Sequence, residues 1–153
     1  MLRTIALTVA IASALAACSA LPRTAPAPTA PPAFSARIDI QDVSGSAASG
    51  VRTPPGTAQT LAEAVRTEVG RAPQGGPAAR LVFVIADYRP AGRNAKTARM
   101  TVKVSITTPS GAALRQFAVT REATGGAAEA RATLIAQSAE AIVRIARGEA
   151  APS

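Results

Sequence analysis

Residues Leu81 to Ala86 read Leu-Val-Phe-Val-Ile-Ala, an apolar run with no polar residue at either parity. Side chains alternate between the two faces of a strand, so this run is apolar on both faces. Such a segment suits the centre of a sheet, with a strand on either side and cover on at least part of both faces. The 136 residues from Cys18 onward are long enough for one compact core and too short for two.

The flanking pattern supplies the other elements. Phe34, Ala36, Ile38 and Ile40 alternate with Ser35, Arg37, Asp39 and Gln41, which predicts a half-buried first strand. Ser44 to Gly56, with three glycines and Pro54-Pro55, reads as a mobile loop, or alternatively as a binding loop. Leu61, Ala62, Val65 and Val69 form a helical stripe, Thr60 and Glu63 have the spacing of a capping box, and Gly70 is a plausible stop. After Leu81 to Ala86, Met100, Val102, Val104 and Ile106 alternate with Thr101, Lys103, Ser105 and Thr107 in a third strand with one wet face. Pro109-Ser110-Gly111 turns into a fourth strand marked by Phe117 and Val119, with Arg115 and Arg121 at its ends. From Ala127 to about Arg147 a long helix presents Leu134, Ile135, Ala141, Ile142 and Ile145 as its buried stripe. Ser138 interrupts that stripe, and its hydroxyl is expected to bond back to the carbonyl of Leu134. The fold class that follows is α+β: a β-α-β-β-β-α domain with a four-stranded mixed sheet and two helices on one face. The helical crossover makes the first two strands parallel, and the meander after it is antiparallel.

The start of the chain has a different character. Arg3 precedes a mostly apolar run from Ile5 to Ala17, too short to span about 30 Å of hydrocarbon as a helix. It reads as a secretory signal. The run ends in Leu15-Ala16-Ala17-Cys18, which contains the only cysteine. This tetrapeptide resembles the lipobox of bacterial lipoproteins, in which small residues fit a peptidase cleft and the cysteine thiol takes a diacylglycerol before becoming the acylated (palmitate-bearing) N-terminus. The alternative is an ordinary signal peptide in which Cys18 is incidental. With Cys18 lipidated, no thiol remains for a disulfide, and packing alone must hold the domain. Ser19 carries a further implication, because Asp at that position retains enterobacterial lipoproteins in the inner membrane. Serine points to the outer membrane, periplasmic side. Residues 19–33 contain five prolines, which stiffen the backbone into a spacer or, alternatively, a segment that packs along the domain. The expected organisation is a signal over 1–17, the lipidated cysteine and linker over 18–33, the α+β domain over 34–149 and a tail over 150–153.

Charge and absences bound the chemistry. The net charge is +8, of which Arg3 supplies one, so an exported domain meets envelope phosphates and carboxylates as its natural partners. There is no histidine, which removes Ser-His-Asp and Cys-His constellations and imidazole metal sites. Three phenylalanines and one tyrosine leave little to stack on bases, so no nucleic-acid partner, no metal and no cofactor are expected. Between Tyr88 and Arg121 there are seven basic residues and no acid. Arg89, Arg93, Lys96, Arg99 and Lys103 fall on and after one turn and are expected to converge at one end of the sheet, where arginine forks suit phosphate or carboxylate. The alternative is a solvated hairpin with no ligand. Lys103 and Ser105 face the same way and invite comparison with a Ser-Lys nucleophile pair, but nothing in the sequence would desolvate the lysine. Asp39, Asp42 and Asp87 are more readily turn and cap residues than a cation site.

Taken together, the lipobox, the proline-rich spacer and a single β-α-β-β-β-α domain resemble small envelope lipoproteins: the lipopolysaccharide-assembly lipoprotein LptE, the YajG-like lipoproteins, and the auxiliary lipoproteins of ABC-type lipid transporters. The resemblance implies a non-enzymatic accessory that docks on an outer-membrane or transport-complex protein. In the LptE case it implies glycolipid binding on a basic surface, carried here by Arg93, Lys96, Arg99 and Lys103. An electrostatic binder of anionic envelope polymer and, more remotely, a hydrolase are the competing expectations.

Overall fold

A computed structural model describes residues 38–71, 75–92 and 96–149. The leader, Cys18, the linker, Phe34 and Arg93 lie outside the described residues. The elements run β1 (Asp39–Ala47), α1 (Thr57–Gly70), β2 (Ala78–Arg89), β3 (Thr97–Thr107), β4 (Ala113–Thr124) and α2 (Ala127–Ala146). The sheet order is β1-β2-β3-β4, with β1 parallel to β2 and the other pairs antiparallel. This is the α+β arrangement that the sequence predicts.

The element boundaries differ from the sequence reading in instructive ways. β1 runs to Ala47, so Ser44 to Ala47 are strand and not loop. Its later residues carry no apolar alternation because Gly45 stands beside Phe83, whose ring occupies the space that a side chain at 45 would take. The helix α1 begins three residues before the expected capping box. Gly56 adopts φ 79°, Thr57 donates its Oγ1 hydrogen to the carbonyl of Pro54 at 2.6 Å, and Thr60 lies inside the first turn. The double-proline turn and a left-handed glycine therefore start the helix, where a side-chain cap was expected. At the end of α2, Gly148 (φ 80°) donates to Ile145 and Glu149 donates to Arg144, a Schellman closure that satisfies the last carbonyls.

The core lies between the helices and one face of the sheet. Leu61 and Val65 of α1 and Leu134 and Ile142 of α2 are fully buried with Leu81, Phe83, Ile85, Met100, Val102 and Ile106. Ser138 lies among them with no exposure, and its Oγ has no hydrogen-bond partner among the described residues, so the expected bond to Leu134 is not made. Both helices cover the same sheet face. The cover expected on the second face of Leu81 to Ala86 is absent among the described residues: Val82 is 41% exposed and Val84 is only half-buried.

Candidate functional site

Pleating sends every second residue of β2, β3 and β4 to the helix-free face. In register across its centre, Val82 lies opposite Ser105 and Val84 opposite Lys103, and these in turn face Gln116 and Ala118. Together they line an open groove of about 460 Å³, with Phe117 contributing to its floor. Its walls are mainly aliphatic. Three strands at about 4.8 Å spacing make it roughly 10 Å wide.

The groove has a polar, self-paired border towards the β2–β3 hairpin. Thr101 and Thr120 hydroxyls meet across the β3–β4 ladder at 3.1 Å. Beyond them Arg89 pairs with Asp87 at 3.5 Å and Arg99 with Glu122 at 3.9 Å. Lys103, by contrast, makes no ion pair with any described carboxylate and stands exposed beside the valines. A cation next to aliphatic surface with no acid at hand is the most unusual charge on this face.

Of the predicted basic cluster, Arg89, Lys96 and Arg99 do gather at the hairpin end, and Arg93 lies outside the described residues. Lys103 does not join them. It stands four residues along β3 from Arg99, about 13 Å at strand rise. The window from Tyr88 to Arg121 is free of acids, but Asp87 and Glu122 lie one residue beyond either end: Asp87 pairs with Arg89 two residues along β2, and Glu122 stands opposite Arg99 across the β3–β4 ladder. Linear counting thus overstated the positive field of the tip. Arg115 and Arg121 point to the other face, being in register with the buried Ile106 and Met100, and Arg115 donates to the carbonyl of Ile145 at the end of α2. Nearby on the helix side, burial pushes the Tyr88 phenol above its usual range, opposed by the charge of Arg131.

Lys103 and Ser105 share a face as expected, with no hydrogen bond between them. Asp39 and Asp42 start β1 while Asp87 is near the far end of β2, so these three do not meet, and no acidic cluster of metal-binding size occurs among the described residues. The sequence reading missed Val82, Val84, Gln116 and Ala118. The available signal was β2 itself: a strand apolar on both faces in a chain whose two helices are both needed on one face leaves aliphatic surface unclaimed.

No protein-family model and no curated protein sequence matches this chain. Among solved structures it is similar to a single-residue variant of the PelC dodecamer from Paraburkholderia phytofirmans, at 16% identity and a TM-score of 0.47, covering 74% of this chain and 86% of that one. It is also similar to a Xanthomonas campestris protein (13%, 0.48, 70% and 81%) and to a minor lipoprotein from Acinetobacter baumannii (13%, 0.43, 72% and 93%).

Proposed function

We propose that this chain is a lipid-anchored accessory protein of the bacterial envelope, without catalysis of its own, that docks a membrane-associated partner protein through the helix-free face of its sheet. Cys18 carries the anchor and Ser19 directs it to the outer membrane, facing the periplasm. Docking on an assembly or lipid-transport complex is the role that the LptE, YajG-like and ABC-auxiliary resemblance favours. The observation that carries the reading is the central groove on that face, where Val82 stays 41% exposed although the domain has a complete core on the other side. The aliphatic surface is small, but it sits at the middle of a face with a self-paired polar border towards the hairpin, an arrangement of apolar centre and polar rim that a protein interface shares. The electrostatic binder of envelope polymer is the second reading, and Arg89, Lys96 and Arg99 at the hairpin end favour it, with Arg93 in the same connection.

Affinity recovery from mildly cross-linked envelopes tests the choice. One stoichiometric membrane protein that survives raised salt supports docking. Retention on peptidoglycan or anionic glycolipid that is lost with salt, with no partner recovered, supports the polymer binder. Labelling with a radioactive fatty acid tests the anchor separately: wild type should take up label and Cys18→Ser should not, and equal label in both would overturn it.

A further inference from the structure

We infer that the groove receives one turn of an amphipathic helix from the partner protein, and that this turn carries a carboxylate which pairs with Lys103 beside an aliphatic anchor set against Val82, Val84 and Ala118. The inference rests on the proposal that the helix-free face is the docking surface, and it specifies the chemistry of what docks there.

Charge argues for an acid. Whatever covers the valines also strips water from the Lys103 ammonium, which no described carboxylate compensates. Burying an unpaired ammonium is costly, so an apolar occupant without an anion would be repelled by the groove it fills. Ser105 and Gln116 stand directly opposite one another next to the lysine and add polar groups that can bond the second carboxylate oxygen.

Size argues for a helix. The axes of β2 and β4 lie about 10 Å apart with β3 between them, a footprint that a helix of about 10–12 Å diameter covers when it lies on a sheet face. Along the strands it extends from Val82 and Gln116 to Val84 and Ala118, about 7 Å and so little more than one 5.4 Å turn. A long acyl chain would overrun it onto the Thr101–Thr120 pair or towards Thr107. Within one turn, an aliphatic residue and an acid three or four positions apart share a face and reach Val82 and Lys103 together.

Site-specific photo-cross-linking of the full chain in its native envelope tests this. A benzophenone side chain is placed at Val82, with Gln59 on the exposed side of α1 as the control position, and the cross-linked peptide is sequenced by mass spectrometry. The expected product from Val82 is one partner peptide with a helical apolar period and an Asp or Glu within four residues of the cross-linked site. Lys103→Glu should reduce its yield at least tenfold, Lys103→Arg should keep it, and changing the partner acid to Lys should restore it in the Lys103→Glu background. A partner peptide without an acid, an extended peptide with a two-residue period, or a yield indifferent to Lys103→Glu would overturn the inference while leaving the docking proposal intact. An adduct of lipid mass at Val82 would overturn the inference in favour of an anionic lipid. No product from Val82 above that from Gln59 would overturn both. Full-length protein recovered at wild-type level in the membrane fraction separates lost contact from lost folding.

Discussion

A Cβ placed on Gly45 would lie 2.1 Å from Cζ of Phe83, far inside van der Waals contact, so that ring and this strand residue exclude one another's growth. Gly45→Ala must therefore displace the largest fully buried side chain of the core. Overpacking of this kind costs about 1–3 kcal/mol. The urea midpoint should fall accordingly, and Phe83→Leu, destabilising in the wild type, should be partly compensated in the Gly45→Ala background. Additive effects of the two changes would show that the ring is free to move. Ser138 behaves in the opposite sense. Its hydroxyl is buried among apolar neighbours with no acceptor found, and an unsatisfied buried hydroxyl costs about 1–3 kcal/mol. Ser138→Ala should raise the urea midpoint at unchanged m-value, and a lower midpoint would mean that the hydroxyl has a partner in solution.

At the scale of elements, α2 and β4 are joined by more than apolar contact. Arg115, on the helix side of the edge strand, donates to the carbonyl of Ile145, so a guanidinium joins the Schellman turn in neutralising the negative end of α2. Arg115→Met keeps most of the aliphatic stem and removes that donor. Amide hydrogen exchange should quicken over the last turn of α2, with β2 and β3 protected as before, and uniform quickening would assign the arginine a global role. Elements were legible in the sequence wherever one side was wet, as in β3, where Thr101, Lys103 and Ser105 mark the outward parity. They were illegible where a backbone device replaced a side-chain pattern. The start of α1 depends on Pro54 and the left-handed Gly56, and the end of β1 depends on the absence of a side chain at Gly45. The candidate site was half legible for a related reason. Lys103 and Ser105 were visible as outward residues, whereas Val82 and Val84 were read as at least partly covered on the second face, although the two helices expected on one face leave nothing among the described residues to cover them. The pairing of Glu122 with Arg99 is a matter of strand register, which sequence spacing does not contain, whereas Asp87 and Arg89 lie two residues apart on one strand, a spacing the sequence does show.

For the whole molecule, the hairpin end and the groove are separable surfaces. Arg89, Lys96 and Arg99 are exposed and contribute nothing to the core, so reversing all three to Glu should leave the domain folded, at a cost of about 0.5–2 kcal/mol because the changes at 89 and 99 set carboxylates against Asp87 and Glu122. Co-sedimentation with anionic vesicles at low salt should drop, while the cross-link from Val82 persists. Loss of that cross-link in a folded triple variant would mean that the partner spans both surfaces.

The parallel pairing of β1 with β2 has one more consequence. Asp39 bonds to Pro77, so the polypeptide enters the domain at the end where β2 begins, and the β2–β3 hairpin stands at the other end of a 12-residue strand, about 40 Å away. On the proposal that Cys18 carries a lipid anchor, the tether would hold the domain by this end. Under the proposed anchoring, the arginine-bearing hairpin would be the end of the domain farthest from the membrane, and the groove would face sideways, towards a neighbour rooted in the same bilayer. Shortening the linker should then starve the hairpin of distant targets before it affects contacts made within the plane of the membrane.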